Sequence, residues 1–260
     1  MKRITSRTNP FYKTLLKLAH SSRERRKSNL TLLDGVHLIA AYREQMGAPQ
    51  SLIVSDSGAE YSEIKLMLDE ARSLDAFVLP DALFAEISAL TPDVGILALI
   101  PTPSPVALKH NLDFCILLDG IQDPGNLGSI LRSAAAAGVG DVLLSKQCAF
   151  VWSPRVLRAG MGAHFMLKLH ERVDLLDYAV RYEGKIIATC ADAKRTIFDS
   201  DLTGKLALLV GNEGAGISDE LLQVPSERVA IPMPGKTESL NAAAAAAICL
   251  FERVRQTRNQ

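Results

Sequence analysis

Five polar residues stand where chemistry could be done: Asn126, Arg132, Glu213, Ser239 and Asn241. Each lies in or just after a short polar loop that follows an apolar run and leads toward a helical pattern. Arg132 sits among Ile130, Leu131 and a run of alanines, a setting that solvation alone does not explain. Asn126 precedes Arg132 by six residues, almost two helical turns, and is expected nearly on its face. The second loop, Gly211-Asn-Glu-Gly-Ala-Gly216, leaves backbone amides open to a ligand. Its Glu213 would repel phosphate, so hydroxyls, amines or a positive centre suit it better. The glycines match neither the GxGxxG dinucleotide fingerprint nor a P-loop. The third loop runs Ile231-Pro-Met-Pro-Gly-Lys-Thr-Glu-Ser-Leu-Asn241, where two prolines in three residues remove two donors and stiffen the turn.

Plainer readings exist for each residue. Asn126 or Ser239 could be an N-cap, Asn241 a first-turn polar residue, and Arg132 half of a surface ion pair. Three such loops in one half-chain nevertheless predict a single composite pocket at the carboxyl edge of a parallel sheet.

The elements that would position these loops follow from the patterning. Apolar runs at 114–118, 141–144, 185–189, 206–210 and 228–231 read as strands. Helical stretches separate most of them, so the alternation predicts a parallel α/β sheet. Gly138 reads as the stop of the helix that carries Arg132. Upstream, strands are expected at 30–34, 51–55, 76–79 and 95–100, with helices at 36–45, 60–73 and from 81 to near 90, the last capped by Asp81. This predicts a small α/β/α layer. Pro101-Thr-Pro-Ser-Pro105 reads as a stiff linker, which divides the chain into residues 1–104 and 105–260.

Composition narrows the class. Of 260 residues, 48% are hydrophobic and 22% charged, an ordinary globular balance. Neither a membrane span nor a signal peptide is expected. The four cysteines are widely spaced and read as buried small hydrophobes in a reducing cytoplasm, with no metal site. The net charge is zero but unevenly placed: residues 1–27 hold nine Lys or Arg and one acid, so they carry +8 and the other 233 residues −8. A basic arm on an acidic body is what contact with a polyanion requires. Arg7, Arg23, Arg25, Arg26 and Lys27 are its candidate nucleic-acid-binding residues. A solvated amphipathic helix over 10–20 is the alternative.

Taken together, the loops resemble the three motifs of the SpoU (TrmH-type) family of RNA ribose 2′-O-methyltransferases in the SPOUT superfamily. The motifs are Asp123-Pro-Gly-Asn-Leu-Gly-Ser-Ile-Leu-Arg132, Leu209-Val-Gly-Asn-Glu-Gly-Ala-Gly216 and Ile231 to Asn241, in order. The intermediate segment Ser153-Pro-Arg-Val-Leu-Arg-Ala-Gly-Met-Gly-Ala163 is similar as well. The resemblance runs from 112 to 260, and more weakly the first domain looks like the family's L30e-like RNA-binding domain. It implies a SPOUT-type α/β fold with a deep trefoil knot, against the general rule that chains do not knot. It implies S-adenosylmethionine as cofactor, held by Leu209, Gly211, Asn212, Ile231, Met233 and Leu240. It implies Arg132, Asn126, Glu213, Ser239 and Asn241 as catalytic residues, and a homodimer formed through the C-terminal domain. Ribosomal RNA is the expected substrate, with transfer RNA the alternative. A non-catalytic knotted RNA-binding or assembly factor is a second reading, and a Rossmann-type oxidoreductase is a third that the missing fingerprint disfavours.

Overall fold

The computed structural model describes the chain except residues 72–73, 89–93, 105, 225, 236, 238 and 259–260. The expected helix ends near 73 and 90 therefore lie outside the described residues, as do Lys236 and Glu238 of the third loop. The elements, in order, are β1 (Lys2–Arg3), α1 (Pro10–His20), α2 (Ser22–Ser28), β2 (Leu30–Asp34), α3 (Val36–Met46), β3 (Ser51–Ser55), α4 (Ser62–Glu70), β4 (Asp75–Leu79), α5 (Asp81–Ala85) and β5 (Ile96–Pro101). There follow β6 (Phe114–Leu118), α6 (Pro124–Ala136), β7 (Asp141–Leu144), α7 (Pro154–Gly160), β8 (Lys168–His170), α8 (Leu175–Arg181), β9 (Lys185–Thr189), β10 (Arg195–Thr196), β11 (Leu206–Val210), α9 (Asp219–Leu222), β12 (Glu227–Ala230) and α10 (Ala242–Thr257).

Two compact units result. The first comprises residues 1–104 and 152–165, the second 105–151 and 166–260. The boundary expected at 104 is therefore only one of three crossings, because α7 belongs to the first unit. That unit's sheet has the order β1-β4-β3-β5-β2, with β5 antiparallel to both β2 and β3. Thr31 on β2 is fully buried and donates to the carbonyl of Trp152 at 2.8 Å, which ties the returning segment down.

Residues 1–27 do not form a free arm. β1 pairs with β4, and α1 buries Tyr12, Leu15 and Leu18 in the first unit's core. Arg25 is 4% exposed, and its guanidinium reaches back to the Leu18 and Ala19 carbonyls and to Ser22 Oγ. It satisfies carbonyls at the end of α1 that have no intrahelical partner, and burial pushes its pKa down. Arg25 is thus withdrawn as an RNA-contacting residue. Arg7 pairs with Glu86, whereas Arg23, Arg26 and Lys27 are exposed. Asp81 is also reassigned: it is the first residue of α5, and its carboxylate accepts from the amide and hydroxyl of Ser57, both at 2.9 Å.

The second unit is a seven-stranded sheet, order β10-β12-β9-β11-β6-β7-β8, with every pairing parallel. The near-continuous apolar strands fit such a sheet, because β11 is buried along its whole length. Helix α10 buries Ala242, Ala246, Cys249 and Leu250, a one-face spacing, and packs on α6 and β11. Among the described residues no helix is long and apolar enough to cross a membrane.

Candidate functional site

The three motif loops leave β6, β11 and β12 at their carboxyl ends. In the first, Asp123 is the N-cap of α6, its Oδ1 accepting from the Asn126 amide at 2.7 Å. That corrects the N-cap reading of Asn126 and frees its carboxamide for other partners. Asn126 Nδ2 donates to Glu213 Oε1 at 2.9 Å, and Asn126 Oδ1 accepts from Asn241 Nδ2 at 2.8 Å. One carboxamide therefore links all three loops. Asn241, not Ser239, is the N-cap of α10, accepting from the amides of Ala243 and Ala244. Asn241 thus does two jobs, holding the helix start with Oδ1 and the first motif with Nδ2.

The second loop is a tight, cross-braced turn. Asn212 and Gly216 exchange backbone hydrogen bonds of 2.8 and 3.0 Å. The Asn212 side chain accepts from the Gly214 and Ala215 amides at 2.9 Å each, and donates to the Gly120 carbonyl at 2.7 Å. Gly211 faces the turn's return strand so closely that a Cβ would lie 2.3 Å from the Gly216 carbonyl carbon. Only glycine fits there. Gly120 (φ 67°) takes the left-handed conformation that favours glycine, whereas Gly125 and Gly128 lie inside α6 rather than in a positive-φ turn.

Between these loops lies a cavity of about 250 Å³. Gly211, Asn212 and Glu213 form one wall; Ile231, Met233 and Leu240 form the other, with Ser239 at its edge. Five of the six residues expected to hold the cofactor line it. Leu209 does not: it is 1% exposed and packed in the core of the second unit, and its neighbour Val210 takes the place at the cavity. In a fully buried strand the residue that reaches a ligand is the last one, not the last but one. A further wall, Thr189-Cys190-Ala191 at the end of β9, was not anticipated. Its signal was available, since strand ends adjacent in a parallel sheet share one edge. The Cys190 thiol is pushed up by burial and then by Asp192.

Arg132 is set apart. It lies on α6, exposed, and its side chain makes no hydrogen bond or ion pair among the described residues. Six residues at about 100° each carry it roughly 120° around the helix from Asn126 and about 9 Å along it. The expectation of a shared face is therefore corrected.

The cavity suits S-adenosylmethionine. Apolar Ile231, Met233 and Leu240 offer faces for a purine, loop backbone groups offer edge contacts, and the Glu213 carboxylate suits a sulfonium.

Comparison with known proteins agrees. Residues 113–251 match the model of the SpoU rRNA Methylase family. The chain is 31% identical to the 23S rRNA (guanosine(2553)-2'-O)-methyltransferase RlmP of Bacillus subtilis, over 96% of this chain and 98% of that protein. It is 37% identical over 158 residues to the 23S rRNA (guanosine-2'-O-)-methyltransferase RlmB of Salmonella typhi, covering 59% of this chain and 64% of that one. Among solved structures, the SpoU methyltransferase AviRb from Streptomyces viridochromogenes in complex with AdoMet superposes with a TM-score of 0.82 at 27% identity, over 97% of this chain and all of that one. An rRNA methyltransferase from Sinorhizobium meliloti with AdoMet bound gives 0.84 at 25% identity, covering 98% of this chain and 97% of that one. With its motifs, its parallel sheet and these likenesses in agreement, the chain belongs to the SpoU rRNA methylase family.

Proposed function

We propose that this protein transfers a methyl group from S-adenosylmethionine to the 2′-hydroxyl of a ribose in ribosomal RNA of the large-subunit (23S) type. The observation that carries this is the Asn241–Asn126–Glu213 chain at the mouth of the cavity between the second and third loops. The cofactor supplies an electrophilic methyl group. The protein's task is to hold that group, orient the ribose and favour its alkoxide.

Glu213 accepts from Asn126 and presents its carboxylate to the cavity. Ser239 offers a hydroxyl at the cavity's edge to orient substrate. A ribose hydroxyl is a poor nucleophile until its proton leaves. We assign Arg132 to stabilise the developing alkoxide, with a substrate phosphate taking the proton. The requirement for a 2′-hydroxyl excludes DNA. Because Arg132 stands away from Asn126 on one α6, a homodimer through the C-terminal unit is the arrangement that would complete the site. Phe251, 47% exposed on α10, supports such a contact.

The trefoil knot remains part of this reading. After β12, which lies beyond β9, the chain turns back through residues 231–241 so that α10 packs on α6 and β11. That return is the path a threaded C-terminal segment would take. The first unit would present exposed Arg23, Arg26 and Lys27 to RNA, in the cytoplasm.

The test incubates purified protein with ribosomal RNA and tritiated cofactor. Label should appear in RNA at a 2′-oxygen and be lost with Arg132→Ala. Label retained in that variant would remove Arg132 from its role. Absence of both label and cofactor binding in the wild type would leave a non-catalytic RNA-binding factor.

A further inference from the structure

The carboxyl edge of the seven-stranded sheet holds a second crevice. β6 continues through α6 to β7 on one side, whereas its neighbour β11 continues through α9 to β12 on the other. Adjacent strands whose continuations diverge define a topological switch point, the place where open parallel sheets bind ligands. The candidate cofactor cavity lies elsewhere, at the ends of β9, β11 and β12. The switch point itself opens into a crevice of about 560 Å³ among the residues that follow β6, β7, β8 and β11. That is within the range of roughly 300–1,000 Å³ that small-molecule sites occupy.

Its lining selects a ligand chemistry. Asp119, Asp174 and Glu220 line it, with Lys146 as the single cation among the described lining residues. That balance repels a phosphodiester. Asp119 Oδ2 already accepts from the Ser218 amide and Asp174 Oδ1 caps α8 through the Asp177 amide, which leaves Asp119 Oδ1, Asp174 Oδ2 and the Glu220 carboxylate to accept from a ligand. Leu175, Leu176 and Leu221 supply an apolar surface. Ionised carboxylates only accept hydrogen bonds, so the crevice suits a flat group with several N–H donors along one edge. Among RNA bases guanine carries a ring N–H beside an exocyclic amine on its pairing edge. Proteins read RNA where bases are unpaired and that edge is exposed.

We propose that the switch-point crevice takes an unpaired guanine base of the substrate RNA, its pairing edge donating to the crevice carboxylates. This rests on the reading of the protein as an RNA methyltransferase. The Asn212–Gly216 turn gives the proposal a link to the chemistry, because Asn212 and Gly216 line both cavities and Glu213 rides on the turn between them. A base seated in the crevice would lie across this turn from the cofactor cavity.

The test titrates the full-length protein with guanosine, adenosine, cytidine and uridine in turn, following backbone amides by NMR. Cofactor affinity is measured on the same samples by calorimetry. Guanosine should shift the amides of Gly120, Ser145 and Ser218 in the millimolar range, with the other nucleosides about tenfold weaker. Glu220→Gln and Gln147→Trp, the second placed to fill the crevice, should abolish those shifts. Both should raise KM for RNA about fivefold while kcat and cofactor Kd stay within roughly twofold. Equal response to all four nucleosides, shifts confined to the cofactor cavity, or an unchanged KM in both variants would overturn the proposal. Failure of the wild type to bind cofactor would instead overturn the methyltransferase reading, which keeps the two distinguishable.

Discussion

Gly211→Ala tests whether the braced turn is the rigid wall of the cofactor cavity. The added Cβ would lie 2.3 Å from the Gly216 carbonyl carbon, 2.4 Å from the Ile217 nitrogen and 2.5 Å from the Gly216 oxygen. All three are backbone atoms, so no side chain can swing aside. Reaching ordinary contact, near 3.4 Å, needs a shift of about 1 Å. Ile217 and Leu221, 6% and 4% exposed, anchor the far side of the turn in the core and resist that shift. Exposed Gly214 and Ala215 can give, so the turn should open at its tip. Overpacking of this kind costs about 1–3 kcal/mol, and the two Asn212–Gly216 hydrogen bonds, worth about 0.5–1.5 kcal/mol each, would lengthen. We expect a loss of about 2 kcal/mol, which lowers Tm by roughly 4–8 °C in a unit of this size. Cofactor affinity should fall about tenfold, equivalent to about 1.4 kcal/mol. Gly214→Ala is the control, because its Cβ meets nothing nearer than Asn212 Oδ1 at 3.6 Å. Thermal melting and calorimetry on both variants decide the matter. If Gly211→Ala binds cofactor like the wild type and melts within about 1 °C of it, the turn is not that wall.

Further outcomes are expected. Asn126→Ala should cut kcat in a single-turnover methylation assay with little change in Tm, since it breaks the link between Glu213 and Asn241 but not the α6 cap on Asp123. Asn241→Ala should lower both, the stability loss being about 1 kcal/mol from the missing cap. Arg25→Ala should destabilise the first unit in a chemical denaturation curve. Arg23→Ala with Lys27→Ala should leave stability alone and reduce the salt slope of RNA binding by about one per lost phosphate contact. Burial pushes Cys115 and Cys249 up to about 12, so a thiol reagent at pH near 8 should label at most Cys148 and Cys190 in the native state, and saturating cofactor should shield Cys190.

The parallel sheet was legible because a strand buried on both faces reads as a continuous apolar run, and β6, β7, β9 and β11 begin and end as expected. Short edge strands escape such reading. β1 and β10 have two residues each and β8 three, too few for any period to register. Strand direction is equally silent in composition, so the antiparallel β5 of the first unit was not foreseen. The polar residues of the loops were found by type, but their roles turned on local competition. Asp123 took the cap that Asn126 could have taken, and Asn241 took the one open to Ser239. Arg25 shows the limit of charge counting, because a cation in a basic run was spent on helix-end carbonyls. The near alignment of Asn126 with Arg132 failed on arithmetic, six residues being well short of two full turns.

The return of residues 152–165 to the first unit has a consequence for synthesis. The Thr31 hydroxyl is fully buried and its partner is the Trp152 carbonyl, so a nascent chain that has emerged only through residue 104 lacks one face of its first unit. About 60 further residues must appear before that face is covered, a delay of roughly 3–12 s at ordinary translation rates of about 5–20 residues per second. During it, the early strands of the second unit emerge while the first is still open. The first unit therefore closes only after part of the second has been made, and a fragment cut at the proline-rich stretch would be an unfinished unit rather than a separable domain.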